Sequence, residues 1–223
     1  MGSTHGDIAC FLSRSEVFRH ATEAQISQLA GQCRIQHYTP NQIVFGSREP
    51  ATDVLLVVRG TVKLFDVTRD GKEAILDFAL PGQVFGELAV LGESRGEYAE
   101  AVDAARIVHV PSRSLKQLME QAPSVAAELT RLTAGRTRRF EGRLKSFLFA
   151  NHRDRVVEVL AELARTHGIK TRQSVLIPLP LRQQDIAGMV GSARETANLV
   201  LGELRQEGHL RFQHQRMEVL SPN

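Results

Sequence analysis

An α+β chain is predicted, with a barrel or jelly roll of short strands first, a long helix in the middle, and a helix-turn-helix with a small wing at the end. Three observations predict it. Residues 35 to 110 fall into short β-branched runs separated by turn signals. After Pro111 the hydrophobic period becomes helical, and one amphipathic stretch runs on from Pro123. Near the end, two short helical patterns meet at Gly191.

The composition sets the outer limits. At 223 residues with 42% hydrophobic content, the chain can bury a sizeable core and divide into two domains. No apolar run approaches the roughly 20 residues that cross a bilayer, and MGSTHGDIACFLSR lacks the basic start and apolar centre of a secretory signal. A cytoplasmic protein with no membrane partner is expected. Cys10 and Cys33 form neither a CxxC pair nor a four-thiolate set, so they read as buried free thiols rather than a disulfide or a cluster site. A net charge of +3 permits nucleic-acid binding without demanding it.

IQHYTPNQIVF, DVLLVVRGTVKLFDV, KEAILDFAL and RIVHVP are separated by signals such as Thr68-Arg69-Asp70-Gly71 and Pro81-Gly82. Many short strands with regular turns predict a closed or double-layered β architecture. Ahead of them EAQISQLAGQC has helical spacing at Ile26, Leu29 and Ala30, with the glycine as a stop.

Leu115 and Leu118 mark a short helix, and Pro123 opens the long one. Along it Val125, Leu129, Leu132, Arg136, Phe140, Leu144 and Phe147 recur every three or four residues, close to a coiled-coil seam interrupted by one arginine. A stripe of that length can be buried on a second copy of the chain, or lie against the chain's own barrel. Arg136, Arg138, Arg139 and Arg143 read as a solvated face or as an anion site. RDRVVEVLAELART is a further amphipathic helix, and SVLIPLPL a short strand.

In the last region LRQQDIAGMVG is a helix whose inner residues are Ile186, Ala187 and Val190, closed by Gly191. A second helix starts at Ser192, and Ala197, Val200, Leu201 and Leu204 form its buried stripe. Arg194, Glu195, Asn198 and Leu199 lie off that stripe, at the end that enters a DNA major groove in this motif. A guanidinium can bind guanine O6 and N7 together, and a carboxylate can accept from a cytosine amine, each contact giving about 1–3 kcal/mol of discrimination. Ser192 and Glu195 also satisfy S-x-x-E, a capping box that would make Glu195 structural. Thr196 suits either a phosphate or packing. GHLRFQHQRMEVL then reads as a two-stranded wing turning near Gln213 to Gln215, with Arg211 and Arg216 placed to touch phosphates.

In its PGQVFGEL turn, its long helix after Pro123 and its DIAGMVGSARETANLVLGEL ending, the chain resembles the CRP/FNR family of bacterial transcription regulators over nearly its whole length. The resemblance implies an N-terminal β-roll (a double-stranded jelly roll) with flanking helices over residues 1–122. It implies a dimerisation helix over 123–150 and a winged helix-turn-helix over 151–223. It also implies a homodimer on pseudo-palindromic promoter DNA, with RNA polymerase as a further partner and recognition helices about 34 Å apart. Arg194 and Glu195 match the family's base-contacting pair, and Arg182, Gln183 and Gln184 lie where the first helix approaches the backbone. The family's frequent second arginine is Leu199 here, which can meet a thymine methyl or leave a base pair unread.

The resemblance places the effector pocket at Gly86, Glu87, Leu88, Glu97, Tyr98, Phe140 and Glu141. Glu87 keeps the ribose-holding position, whereas Glu97 and Tyr98 stand where nucleotide-binding members have an arginine and a small hydroxyl residue. Phe140 and Glu141 stand at the purine-contacting positions. Like charges near 4 Å repel by about 4 kcal/mol at an effective dielectric of 20. That matches the roughly 4.1 kcal/mol of a millimolar complex. Ordinary cyclic AMP control is therefore not expected. Cyclic di-GMP on the Arg136 to Arg143 cluster, haem through a histidine, and no effector at all stay open, although His37, His109 and His152 each read better as isolated strand or linker residues. In the last case Phe140 and Tyr98 would fill the pocket.

A metal-dependent jelly-roll enzyme needs clustered ligands; the strands hold no His-x-His, and no Gly-rich phosphate loop of the GxxxxGKS type occurs. A stand-alone cyclic-nucleotide-binding module would not need the helix-turn-helix.

Overall fold

The computed structural model describes residues 5–213 and 216–220. The chain forms two compact units, one of the residues up to Asp66 with Asp77–Arg136, the other of Val67–Leu76 with Thr137 onward.

In the first unit, α1 (His5–Arg14) and α2 (Glu23–Ala30) precede the strands. Thr22 starts α2 through a capping box: its Oγ1 accepts from the Gln25 amide at 3.3 Å, and Gln25 Oε1 accepts from the Thr22 amide at 2.9 Å. Eight strands follow: β1 (Arg34–Tyr38), β2 (Ile43–Phe45), β3 (Asp53–Arg59), β4 (Val62–Val67), β5 (Glu73–Ala79), β6 (Val84–Phe85), β7 (Tyr98–Ala101) and β8 (Ala105–Pro111). They make two four-stranded sheets, ordered β1-β8-β3-β6 and β2-β7-β4-β5. This is the predicted double-layered roll.

The alternation along β3 and β8 explains how the layers assemble. Leu55, Val57 and Ile107 join Phe45, Val62, Leu64 and Phe85 in the roll interior, while Val54, Leu56, Val108 and Val110 face the helices with Leu12, Phe18 and Leu29. A strand buried on both faces reads as an unbroken apolar run, which is why DVLLVV shows no polar alternation. Each such fully buried side chain contributes about 1.5–3 kcal/mol.

Helices α3 (Ser112–Gln121) and α4 (Pro123–Phe149) follow β8. The predicted seam of α4 divides. Val125 and Leu129 are buried in the first unit's own core, and Leu132 packs against it. Phe140, Leu144 and Phe147 are exposed, by 42, 59 and 57%.

The second unit contains α5 (His152–His167), β9 (Ile169–Lys170), β10 (Ser174–Ile177), α6 (Gln183–Val190), α7 (Arg194–Gln206), β11 (Leu210–Gln213) and β12 (Arg216–Leu220). Its sheet runs β11-β12-β10-β9, so the wing is continuous with the strand after α5. Asn151 caps α5, its Oδ1 accepting from the Asp154 amide at 2.9 Å.

Sequence patterning missed α1, and it misplaced the thiols. Cys10 is exposed and Cys33 half-buried, because α1 turns Ile8 and Leu12 inward and leaves Cys10 on its open face. None of the described helices is long and apolar enough to cross a membrane.

Candidate nucleic-acid interface and effector pocket

The turn between α6 and α7 is fixed by backbone geometry. Gly191 is left-handed (φ 63°, ψ 40°), and its amide and that of Ser192 both donate to the Ala187 carbonyl. Ala197, Val200, Leu201 and Leu204 are buried as the pattern of α7 requires. On its other side Arg194, Glu195 and Leu199 are exposed, while Thr196 and Asn198 are half-buried.

One detail of the start differs from the sequence reading. Ala193, not Ser192, occupies the N-cap and gives no side-chain cap, and the Ser192 hydroxyl donates to the Ala193 carbonyl at 3.3 Å. The S-x-x-E capping box does not form, because α7 begins one residue later than the motif needs. Glu195 is therefore not held by the backbone. Neither Arg194 nor Glu195 has an intramolecular hydrogen-bond or ion-pair partner among the described residues.

A box does form one helix earlier. The Asp185 carboxylate, only 2% exposed, accepts from the Arg182 amide at 2.7 Å and lies 3.3 Å from Arg182 Nη2. Asp185 was not singled out from sequence, although R-x-x-D at a helix start was there to find. It holds Arg182 beside exposed Gln183 and Gln184. Arg153 of α5 pairs with both Glu203 and Glu207, setting α7 against α5. In the wing Leu210 and Met217 are buried, and Arg211 and Arg216 are exposed. The wing turn at 214–215 lies outside the described residues.

In the first unit Gly86 is left-handed (φ 66°) and leads into a 3-10 turn over Glu87–Leu91. Glu87 is buried, Leu88 is 40% exposed, and the Arg136 guanidinium pairs with the Glu87 carboxylate. Arg136 also donates to the Val84 carbonyl at 3.0 Å and lies 3.4 Å from Asp77. Glu97 is half-buried, and its pKa is pushed up by burial and then by Glu87, with Arg136 and Arg95 opposing. Tyr98 stacks on Phe65 at 5.4 Å between centroids.

Phe140 and Glu141 belong to the second unit and are exposed, and Phe140 lines a largely apolar groove of about 1070 Å³ with Ile75, Phe147, Val159 and Met189. Within the arginine cluster Arg136 is engaged as above, and Arg143 grips Glu162 with Nε at 3.0 Å and Nη2 at 2.7 Å. Arg139 lies 3.8 Å from the same Glu162. Finally, His109 is not an isolated strand residue but is hydrogen-bonded to Asp53 and Tyr38. His37 is exposed, and His152 contacts Arg155. Among the described residues no cluster of three metal-ligating side chains occurs.

Sequence reading also missed Arg95. It is buried over the Phe45 ring, donating to the carbonyls of Gly86 at 3.1 Å and Asp53 at 2.7 Å. An arginine in a glycine-flanked loop carries no apolar period that would mark it as interior.

Residues 35–122 match the cyclic nucleotide-binding domain family, and residues 154–223 match the Crp-like helix-turn-helix domain family. The chain is 30% identical to the cyclic AMP receptor protein of Thermus thermophilus over 82% of each chain. It is 27% identical to a CRP-like cAMP-activated global transcriptional regulator of Mycobacterium tuberculosis over 91% of each. Among solved structures it resembles FixK2 of Bradyrhizobium japonicum, with 30% identity, 85% of this chain and 93% of that chain covered, and a TM-score of 0.74.

Proposed function

Because this chain belongs to the CRP/FNR family of DNA-binding transcription regulators, we propose that it acts as a homodimer on pseudo-palindromic promoter DNA, without cyclic AMP as its ordinary effector. In this reading residues 1–122 are the sensor, 123–150 the dimerisation helix and 151–223 the reader. RNA polymerase is a further partner, and the cytoplasm the compartment.

The observation that carries the DNA reading is the free face of α7. Arg194 and Glu195 stand exposed and unpartnered at the start of a helix whose opposite stripe is buried. Bidentate readout needs an uncommitted guanidinium on a rigid support. Arg182, Gln183 and Gln184 at α6, with Arg211 and Arg216 on the wing, supply phosphate contacts that position without specifying. Leu199, 66% exposed, presents a methyl surface where the family often has a second arginine. Selection of sites from random DNA by the full chain tests this. A half-site differing from the cyclic-AMP-type consensus nearest the dyad supports it, and recovery of that consensus unchanged overturns it. A mobility shift with a chain truncated after Ala150 separates a regulator from a stand-alone binding module.

The homodimer is supported by the exposed apolar side chains of α4, Phe140, Leu144, Phe147 and Leu148. Four such residues on the outer half of one helix are the pattern a partner covers.

Effector independence is the second reading, favoured by Glu97. Cyclic AMP control appears in the names of two relatives, yet a cyclic phosphate placed here would meet the Glu97 carboxylate instead of a guanidinium. Calorimetry with cyclic AMP, cyclic GMP and cyclic di-GMP, with an absorption spectrum for haem, tests it. Operator binding by the purified protein without additions supports the reading, and a strict requirement for a small molecule rejects it.

A further inference from the structure

At one end of the roll β1, β3 and β8 converge on a buried polar chain. Arg34 and Leu55 are the register partners of His109 across the two neighbouring strands. Asp53 and His109 are each 6% exposed and Tyr38 4%. His109 Nδ1 lies 3.1 Å from Asp53 Oδ2, and its Nε2 lies 2.9 Å from the Tyr38 hydroxyl. Arg34 Nη2 lies 2.7 Å from the same Asp53 oxygen and 3.2 Å from Nδ1. Asp53 has a second attachment, since its main-chain carbonyl accepts from Arg95, whose other arm holds the Gly86 carbonyl. One residue thus joins the histidine to the turn that carries Glu87.

Counting hydrogens shows which protonation state this arrangement fits. With the ring neutral and Nδ1 protonated, Nδ1–H and Arg34 both donate to Asp53 and the Tyr38 hydroxyl donates to Nε2, so the imidazole and phenolic hydrogens each meet an acceptor. A second proton must go on Nε2, where it faces a hydroxyl that is itself donating. The phenolic hydrogen then has no other acceptor among the described residues. Burial, the largest influence, holds the pKa of His109 below its ordinary value; the Asp53 hydrogen bond opposes that, and Arg34 adds to it. The groups facing the ring are Arg34 and Tyr38 of β1, Asp53 of β3 and Arg95 from the β6–β7 connection, with the Cys33 thiol close to Asp53. Burial pushes the Tyr38 phenol up to about 12, so it remains a hydrogen donor.

We propose that the Tyr38–His109–Asp53 chain is an acid-sensitive clamp on the effector turn. The roll is built around neutral His109, and proton uptake at Nε2 loosens β1 and β3 at Asp53 and, with them, the hold of Arg95 on Gly86. The sign follows from linkage. The folded chain takes this proton less readily than the unfolded chain, whose histidine titrates near 6.5, so the stabilisation is complete above about pH 6.5 and is lost as the pH falls below it.

Imidazole NMR and backbone hydrogen exchange on the full chain test the clamp. His109 is expected as the Nδ1–H tautomer, titrating below the ordinary histidine value of about 6.5. After correction for intrinsic rates, protection of amides 82–96 should fall between about pH 7.5 and about pH 5.5. In His109→Gln that pH-dependent loss should disappear. In Tyr38→Phe the hydroxyl no longer competes for Nε2, so His109 should titrate closer to the ordinary histidine value and the loss should become shallower. Titration of His109 at that ordinary value in the unaltered chain overturns the proposal, as does an equal loss of protection in His109→Gln. If His109→Gln does not fold, the Tyr38→Phe titration decides alone, and an unchanged His109 titration there overturns the clamp.

Discussion

A Cβ placed on Gly86 would lie 2.5 Å from Nη1 of Arg95. Glycine at this position therefore answers two requirements at once, a left-handed backbone (φ 66°) and the close passage of a buried guanidinium. Arg95 cannot swing aside without abandoning the carbonyls of Gly86 and Asp53.

Gly86→Ala is expected to destabilise the roll by more than the roughly 1–2 kcal/mol of left-handed strain. Gly82→Ala is the control, because Gly82 is also left-handed (φ 87°) but an added Cβ there meets nothing within 4 Å. Urea midpoints of the two variants measure the difference. Equal losses would show that the contact with Arg95 costs nothing.

Glu97→Arg is expected to raise cyclic AMP affinity above that of the unaltered chain, because a guanidinium would replace a carboxylate at the proposed phosphate position. Burial and Glu87 raise the pKa of Glu97, so protonation removes its repulsion at higher pH than for an exposed carboxylate. Any residual nucleotide binding by the unaltered chain should therefore strengthen as the pH falls toward that raised value. Calorimetric titration at two pH values reads both effects.

Arg194→Ala should cost about 1–3 kcal/mol on the selected operator and little on random DNA. Arg216→Ala should weaken both alike and flatten the slope of log affinity against log salt by about 0.9, the amount for one phosphate contact. Fluorescence anisotropy across a salt series separates the two roles. Equal losses on both DNAs for Arg194→Ala would remove it from base reading.

Leu144→Glu, alone or with Phe147→Glu, should convert the chain to monomer without unfolding it. Both side chains are more than half exposed, so a charge there is tolerated in one copy but opposes burial against a second. Sedimentation velocity gives the mass and circular dichroism checks the fold. A dimer that survives both substitutions would place the interface elsewhere.

Arg143→Ala should lower the unfolding free energy by about 3–5 kcal/mol, the loss expected when one partner of a buried pair is removed. It strips a bidentate partner from Glu162, which is 8% exposed, and frees the Leu76 carbonyl, 2.6 Å from Arg143 Nη1. The double variant Arg143→Met, Glu162→Leu should recover much of the loss, since it leaves no unpaired buried charge. Denaturant unfolding of the single and double variants provides the comparison.

The amino-acid order by itself determined the period of each segment and where it breaks. DVLLVV read as a β-branched strand, Ala197, Val200, Leu201 and Leu204 as one buried stripe, and Gly191 marked the turn between α6 and α7. These are local properties, governed by side-chain direction repeating every 2 or 3.6 residues. Tertiary structure alone decided which polar groups meet. Asp53 with His109, Arg95 with Gly86, Arg136 with Glu87 and Arg143 with Glu162 join residues 56, 9, 49 and 19 positions apart. It likewise moved the start of α7 past Ser192, and it divided the stripe of α4 between a core of its own and an open face. A charge finds its partner through the fold, at distances and in directions that no repeat along the chain encodes.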